Sequence, residues 1–265
     1  MLDKFNRHIN YLRISVTDRC NLRCSYCMPA CGVTFLNHND ILRYEEIRDV
    51  VKVAVNLGID KVRVTGGEPL VRKGIVSFIE MLSSIKGIKD LSMTTNGILL
   101  EKYANDLKKA GLSRINVSLD TLNHSKYSEI THGGNLDDVI KGLMAAKDAG
   151  FNPIKINCVI TESKLEEDAL QVEQFALLHN FVIRFIRLMN MEKGEFWPVD
   201  GGDGGNCSSC NRLRLSSDGK IYPCLFGDHS YSVRKLGIEK AFEMALSCKP
   251  ESGHESTSKF HLLGG

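Results

Sequence analysis

The sequence predicts an α/β protein, a partial (β/α)6 barrel followed by a small C-terminal subdomain, and three observations carry that expectation. Short apolar or alternating runs recur with amphipathic stretches between them, most of those stretches close on a glycine, and the polar face of the runs carries basic residues. Strand and helix in alternation imply a parallel sheet with right-handed crossovers. The 265 residues suffice for one large barrel with an appendage rather than several independent domains.

The first strand is predicted at 11–16, where Leu12, Ile14 and Val16 alternate with Arg13, Ser15 and Thr17. A helix follows at 44–57 and ends at Gly58, a residue suited to the left-handed conformation that closes helices. The second strand, 61–66, sets Val62 and Val64 against Arg63 and Thr65, and the helix at 74–86 ends at Gly87. The third, 91–95, puts Thr94 and then Asn96 opposite Met93 and Thr95, before a helix at 100–110 and Gly111. The fourth, 114–120, separates Asn116, Ser118 and Asp120 from Ile115, Val117 and Leu119; the helix at 136–149 ends at Gly150. The fifth, 153–160, sets Lys155 and Asn157 against Ile154 and Ile156, a helix follows at 165–179, and the sixth, 182–189, holds Arg184 among apolar neighbours. Gly194 through Asn206 reads as a Gly-rich connector, so the chain is expected to divide into a barrel, 1–192, and a C-terminal region, 193–265.

A closed barrel fills its lumen with Val, Ile and Leu. Here Arg13, Arg63, Lys155 and Arg184 share the polar face. Either they are solvated residues of an open sheet, or they meet a polyanion, because burying unpaired cations is very costly. A triphosphate suits planar Arg forks and a Lys point charge.

Cys20, Cys24 and Cys27 follow the first strand in a C-x3-C-x2-C run. A structural zinc closes with four protein ligands, and an ordinary 4Fe-4S cluster takes four cysteines. Three ligands in one loop therefore imply an iron left open for a substrate or cofactor. Cys207, Cys210 and Cys224 form a second incomplete set, C-x2-C-x13-C, which alone is equally the pattern of half a zinc ribbon. Cys31, Cys158 and Cys248 match neither set, and Cys158 in its apolar strand reads as a small core residue. None of the eight histidines has ligand spacing. The odd total of nine cysteines, the lack of a secretory segment before Arg13 and the lack of a membrane-length apolar run point away from disulfides, secretion and a membrane, toward reduced thiolates in a cytoplasmic compartment. A net charge of +2 with 25% charged residues lacks the basic stripe of a nucleic-acid binder.

The first cysteine loop, with Gly66-Gly67-Glu68-Pro69 after the second strand, resembles the radical S-adenosylmethionine (SAM) superfamily. The second cysteine set followed by Asn211-Arg212-Leu213-Arg214 makes the whole similar to the molybdenum cofactor biosynthesis protein A family, the GTP 3′,8-cyclases. The resemblance implies a radical SAM barrel with two 4Fe-4S clusters. The open iron of the first binds SAM, whose cleavage yields a 5′-deoxyadenosyl radical; that of the second binds the guanine of GTP. It further implies that Glu68 accepts from the SAM ammonium, that Gly66 and Gly67 let backbone approach SAM, that Tyr26 lies near the adenine, and that Ser118 and Met189 line the SAM site. A core methionine is the other reading of Met189. Arg13, Arg63, Thr94, Lys155, Arg212 and Arg214 match positions that touch GTP in the family, with Arg184 a further candidate. Leu-Leu-Gly264-Gly265 is similar to a double-glycine tail that reaches the active site, a frayed terminus being the plain alternative. An electron donor protein is implied, and a homodimer is compatible with the sequence.

One departure stands out. Relatives carry a longer segment before the second cysteine set, helping to wall the lateral opening of the barrel, where this chain has only Asn190 through Asn206. The expectations are then a minimal GTP cyclase, a protein whose site a partner closes, or a relative with another substrate. Outside that activity stand a radical SAM enzyme with an auxiliary cluster that modifies a peptide or another small molecule, and a non-catalytic iron-sulfur or zinc-binding scaffold.

Overall fold

A computed structural model describes residues 1–28, 32–257 and 260–264. Its first six strands are β1 (Tyr11–Ser15), β2 (Lys61–Thr65), β3 (Asp90–Thr95), β4 (Arg114–Ser118), β5 (Ile154–Ile160) and β6 (Val182–Arg187). Between them run α1 (Tyr44–Asn56), α2 (Ile75–Ser83), α3 (Leu100–Lys109), α4 (His124–Thr131), α5 (Leu136–Asp148) and α6 (Glu167–His179). The C-terminal region adds β7 (Arg212–Leu215), β8 (Lys220–Tyr222), β9 (Tyr231–Ser232), α7 (Val233–Leu236), α8 (Ile238–Ser247) and α9 (Phe260–Leu263). The nine strands among the described residues join one sheet in the order β6-β5-β4-β3-β2-β1-β7-β8-β9, parallel through β7 and antiparallel beyond it. The sheet does not close; β6 and β9 are its edges.

The apolar side of each strand packs under the helices, with Leu12, Ile14, Val62, Val64, Met93, Ile115, Val117 and Ile156 fully buried. Burying such a side chain contributes about 1.5–3 kcal/mol, so this layer fixes which face of every strand looks the other way. Close helix approach supports it: a Cβ on Gly142 of α5 would collide with the Gly97 carbonyl, which only a glycine avoids. The glycines expected to end helices, at 58, 87, 111 and 150, all have positive φ.

Element ends differ from expectation for identifiable reasons. The Ser83 and Ser84 hydroxyls bond back to Glu80 and Met81 carbonyls and end α2 before residue 86. Glu166 gathers the amides of Thr161, Glu162 and Ser163 instead of entering α6. β4 stops at Ser118 because the Val159 amide bonds to the Asp120 carboxylate at 2.8 Å and leaves the strand ladder. The connector before β7 is more ordered than its glycines suggest: Asn190 bridges Glu195, and Asp200 exchanges backbone bonds with Phe185 at 3.0 and 3.1 Å, so it runs along the β6 edge.

Candidate functional site

The loop after β1 carries the first three cysteines. Asp18, fully buried, accepts from the Leu36 amide at 2.6 Å and pairs with Arg19, which fixes the loop's start. Cys27 and Met28 amides bond to the Cys24 carbonyl, closing a turn that sets Cys24 and Cys27 close together. The Cys20 sulfur accepts from the Leu22 amide at 3.3 Å and from Asn96 Nδ2 at 3.8 Å. α4, which periodicity did not reveal, receives the loop: Arg23 and Ser25 amides bond to the carbonyls of Thr131 and Ile130 at its end. Tyr26 donates to the half-buried Asp120 at 2.6 Å.

Burial and the mutual repulsion of their charged forms push the Cys24 thiol up to about 12 and the Cys27 thiol up to about 11, and burial raises Cys20. Three thiols that resist ionising together become stable thiolates when cationic iron lies among them. Among the described residues, no three His, Cys, Asp or Glu side chains converge tightly enough for a single metal ion. Three cysteine thiols in one loop are the donor set that a 4Fe-4S cluster with one open iron takes. Cys31 lies outside the described residues.

Gly66 and Gly67 pass so near the loop that a Cβ on either would overlap the Thr17 or Arg19 backbone. Glu68 is turned inward, 1% exposed, with Oε1 accepting from the Leu70 amide (3.0 Å) and Thr95 hydroxyl (2.8 Å) and Oε2 from the Asn96 amide (2.7 Å). Burial outweighs those bonds and pushes its carboxyl up to about 7. The carboxylate expected to meet SAM thus already clamps the end of β2 to the end of β3. Ser118 ends β4 opposite Asn157 and is half-buried.

On the polar face of the sheet lies a cavity of roughly 400 Å³, the size of small-ligand sites. Arg13, Arg63, Lys155, Arg184, Arg212 and Arg214 all line it, as do Cys207, Cys210 and Cys224. Register explains the convergence. Arg13 stands opposite Arg63 on one side and Arg214 on the other, and Asn157 opposite Arg184. The Tyr11 ring lies between cations, 5.4 Å from Arg63 and 5.6 Å from Arg212. Four of them have uncharged hydrogen-bond partners: Ser92 for Arg63, the Gly201 carbonyl for Arg184, the Asp203 carbonyl for Arg212 and the Gly264 carbonyl for Arg214. Burial and neighbouring guanidinium groups hold Arg13 well below its usual value, Arg214 down to about 10 and Lys155 down to about 8. Such a field calls for a polyanion. On the same face, Thr94 Oγ1 and both amide atoms of Asn116 are buried with no hydrogen-bond partner among the described residues, as groups awaiting a ligand or water would be.

Arg114 and Lys61 also line the cavity and were not foreseen; the signal for Arg114 was its place one step before the alternating Asn116 and Ser118. Arg114 is held by Asp90, with Nε at 2.9 Å. Met189 lines the cavity beside the second cysteine set and packs with Met191, Leu225, Phe226 and Leu263. Trp197, Val199 and the stretch from Gly202 to Asn206 wall the cavity too, so the short connector itself closes part of the opening. Gly264 lies against Thr65, which a Cβ there would overlap, and its carbonyl meets the cavity-lining Arg214; Gly265 lies outside the described residues. In the second cysteine set, burial would raise Cys210, but Lys249 and Arg212 outweigh it and hold the thiol below its ordinary value.

The radical SAM superfamily pattern matches residues 14–176. A GTP 3′,8-cyclase of Thermodesulfovibrio yellowstonii is 45% identical over 314 aligned positions, covering 97% of this chain and 97% of the relative. One from Alkaliphilus oremlandii is 40% identical over 320 positions that span the whole of both chains, so that relative carries residues with no counterpart among the 265 here. Among solved structures, Streptococcus suis SuiB bound to S-adenosylmethionine superposes with a TM-score of 0.70 at 17% identity, covering 92% of this chain and 66% of SuiB. Native anSMEcpe with bound AdoMet gives 0.62 at 18% identity, covering 88% and 80%. At these identities the likeness is one of fold.

Proposed function

The chain belongs to the radical SAM superfamily and, within it, to the GTP 3′,8-cyclases of molybdenum cofactor biosynthesis, and from that membership we propose how its residues divide the work. When bound, the first 4Fe-4S cluster and SAM supply a 5′-deoxyadenosyl radical that begins the joining of ribose C3′ to purine C8 in GTP. Cys20, Cys24 and Cys27 hold that cluster, and Gly66, Gly67, Glu68, Tyr26 and Ser118 shape the SAM site around it. Cys207, Cys210 and Cys224 hold the second cluster and leave one iron for guanine.

The observation that carries the substrate assignment is the set of buried (Arg63, Arg214) and half-buried (Arg184, Arg212) guanidinium groups facing one cavity with carbonyl or hydroxyl partners. Arg13, Arg63, Arg184, Arg212 and Arg214 bind the triphosphate and ribose as planar forks, with Lys155 a point charge beside them and Thr94 at the inner end. Fixing both ends of the nucleotide holds C3′ toward the SAM side, the orientation such a reaction needs. Met189 and the connector exclude water on the open side. We further propose that a donor protein delivers the electron in the cytoplasm; no helix among the described residues is long and apolar enough to cross a membrane. Residues 1–192 act as the SAM barrel and also lend Arg13, Arg63, Thr94, Lys155 and Arg184 to the nucleotide, while residues 193–265 carry the second cluster with Arg212 and Arg214. A homodimer would cover Leu177 and Leu178, which are 68% and 77% exposed on α6.

The test is anaerobic incubation of the reconstituted full chain with SAM, dithionite and each nucleoside triphosphate, read by mass spectrometry. A cyclised product from GTP is expected; turnover of a different substrate in place of GTP would overturn the assignment.

A further inference from the structure

We propose that Lys249 is a positioning residue of the second iron-sulfur site, a buried cation that donates to the Cys210 sulfur and raises the reduction potential of the cluster there. The proposal rests on the reading that Cys207, Cys210 and Cys224 hold that cluster. Lys249 follows α8 and is 1% exposed, a rare state for a lysine. Its ammonium lies 3.5 Å from Cys210 Sγ, 2.8 Å from the Arg212 carbonyl oxygen and 2.7 Å from the Pro223 carbonyl oxygen. Those contacts use the three donors of the group. They also span both arms of the cysteine set, since Arg212 follows Cys210 by two residues and Pro223 immediately precedes Cys224.

Arg7 approaches the same loop and provides a contrast. Its guanidinium donates to the carbonyls of Cys207 (2.8 Å), Pro250 (2.6 Å) and Glu251 (2.9 Å), and its charge is matched by Asp3 at 2.6 Å. Among the described residues Lys249 forms no ion pair with a carboxylate; its partners are two carbonyls and a sulfur. A buried ammonium without a counter-charge is very costly. Thiolates on iron at this spot supply the missing negative charge. Conversely, a hydrogen bond and a positive charge at a ligand sulfur favour the reduced, more negative cluster and so shift its potential upward. Arg7 fastens the loop, whereas Lys249 acts on the sulfur.

The experiment uses the full chain with Cys20→Ala, Cys24→Ala and Cys27→Ala, so that only the second cluster assembles, and follows its potential by EPR-monitored redox titration. Lys249→Gln and Lys249→Met should lower the midpoint potential, with Lys249→Arg staying near the parent because it keeps the charge. Loss of iron from both neutral variants but not from Lys249→Arg, with unchanged circular dichroism of the iron-free proteins, supports the same role. Iron-loaded neutral variants at the parental potential overturn the proposal, and so does a Lys249→Arg variant that shifts or loses iron as the neutral ones do, since shape rather than charge would then matter. A parent protein that binds no iron in this background overturns the second-cluster reading itself, and the proposal with it.

Discussion

Glu68 shows how much one carboxylate can be asked to do. Its two oxygens face three donors, Leu70, Thr95 and Asn96. In Glu68→Gln the amide nitrogen must face at least one of them, donor against donor, and an unmade buried hydrogen bond costs about 1–3 kcal/mol. Stability of the cluster-free protein should fall by about that amount, together with a loss of SAM affinity on the order of ten-fold. A variant as stable as the parent in chemical denaturation would show that the clamp is not made. Lys155 sets a pH dependence. Burial, with Arg184, Arg114 and Arg63 nearby, brings its amine down to about 8, while a bound phosphate favours the charged form. Below that pH the amine is already charged and nucleotide affinity is at its full value; above it, binding must take up a proton, and affinity falls. Titration calorimetry across this range should show the decline in the parent and a flatter profile in Lys155→Arg; equal profiles would refute it. The cations of β1, β2, β5 and β6 were legible in sequence because period two is geometry that any strand obeys. Glu68's inward turn was not, because a motif names a residue without saying which way it points.

At the scale of elements, α4 ties fold to chemistry. Its N-cap Asn123 accepts from the Lys126 amide, and its last carbonyls hold the amides of Arg23 and Ser25 in the first cysteine loop. Asn123→Ala should cost about 1 kcal/mol and speed iron loss to a chelator. Asn135→Ala, which removes the equivalent cap from α5, should cost a similar amount with the parental rate of iron loss. Equal rates in the two variants would detach α4 from the cluster. The helix escaped detection because only Tyr127 and Thr131 of its eight residues are buried, too few to set a period. β7 escaped for another reason. Arg212 and Arg214 stand two apart, which puts them on one face of an extended segment, but their partner strand, β1, lies some two hundred positions earlier, and nothing local in Arg-Leu-Arg-Leu names it.

Across the whole molecule, two half-sites share one sheet, and this should make them separable by mutation. Arg212→Ala with Arg214→Ala removes two cavity cations and the anchor of the Gly264 carbonyl, leaving all six cysteines. The double variant should keep about eight irons per chain and still form 5′-deoxyadenosine slowly, yet lose GTP binding and the cyclised product. Parental cyclisation in that variant would mean the nucleotide sits elsewhere. The shared sheet also orders events in time. β1 is flanked by β2 on one side and by β7 on the other, so its ladder waits for a segment near the far end of the chain. Such distant pairings close late. While the ribosome is still translating, a nascent chain can present Cys20, Cys24 and Cys27 on a nearly complete parallel sheet before Cys207 has been made. The expected order of iron loading is therefore the SAM half first, and a chain arrested before β7 should emerge with one cluster and without Arg212, Arg214 and Cys224.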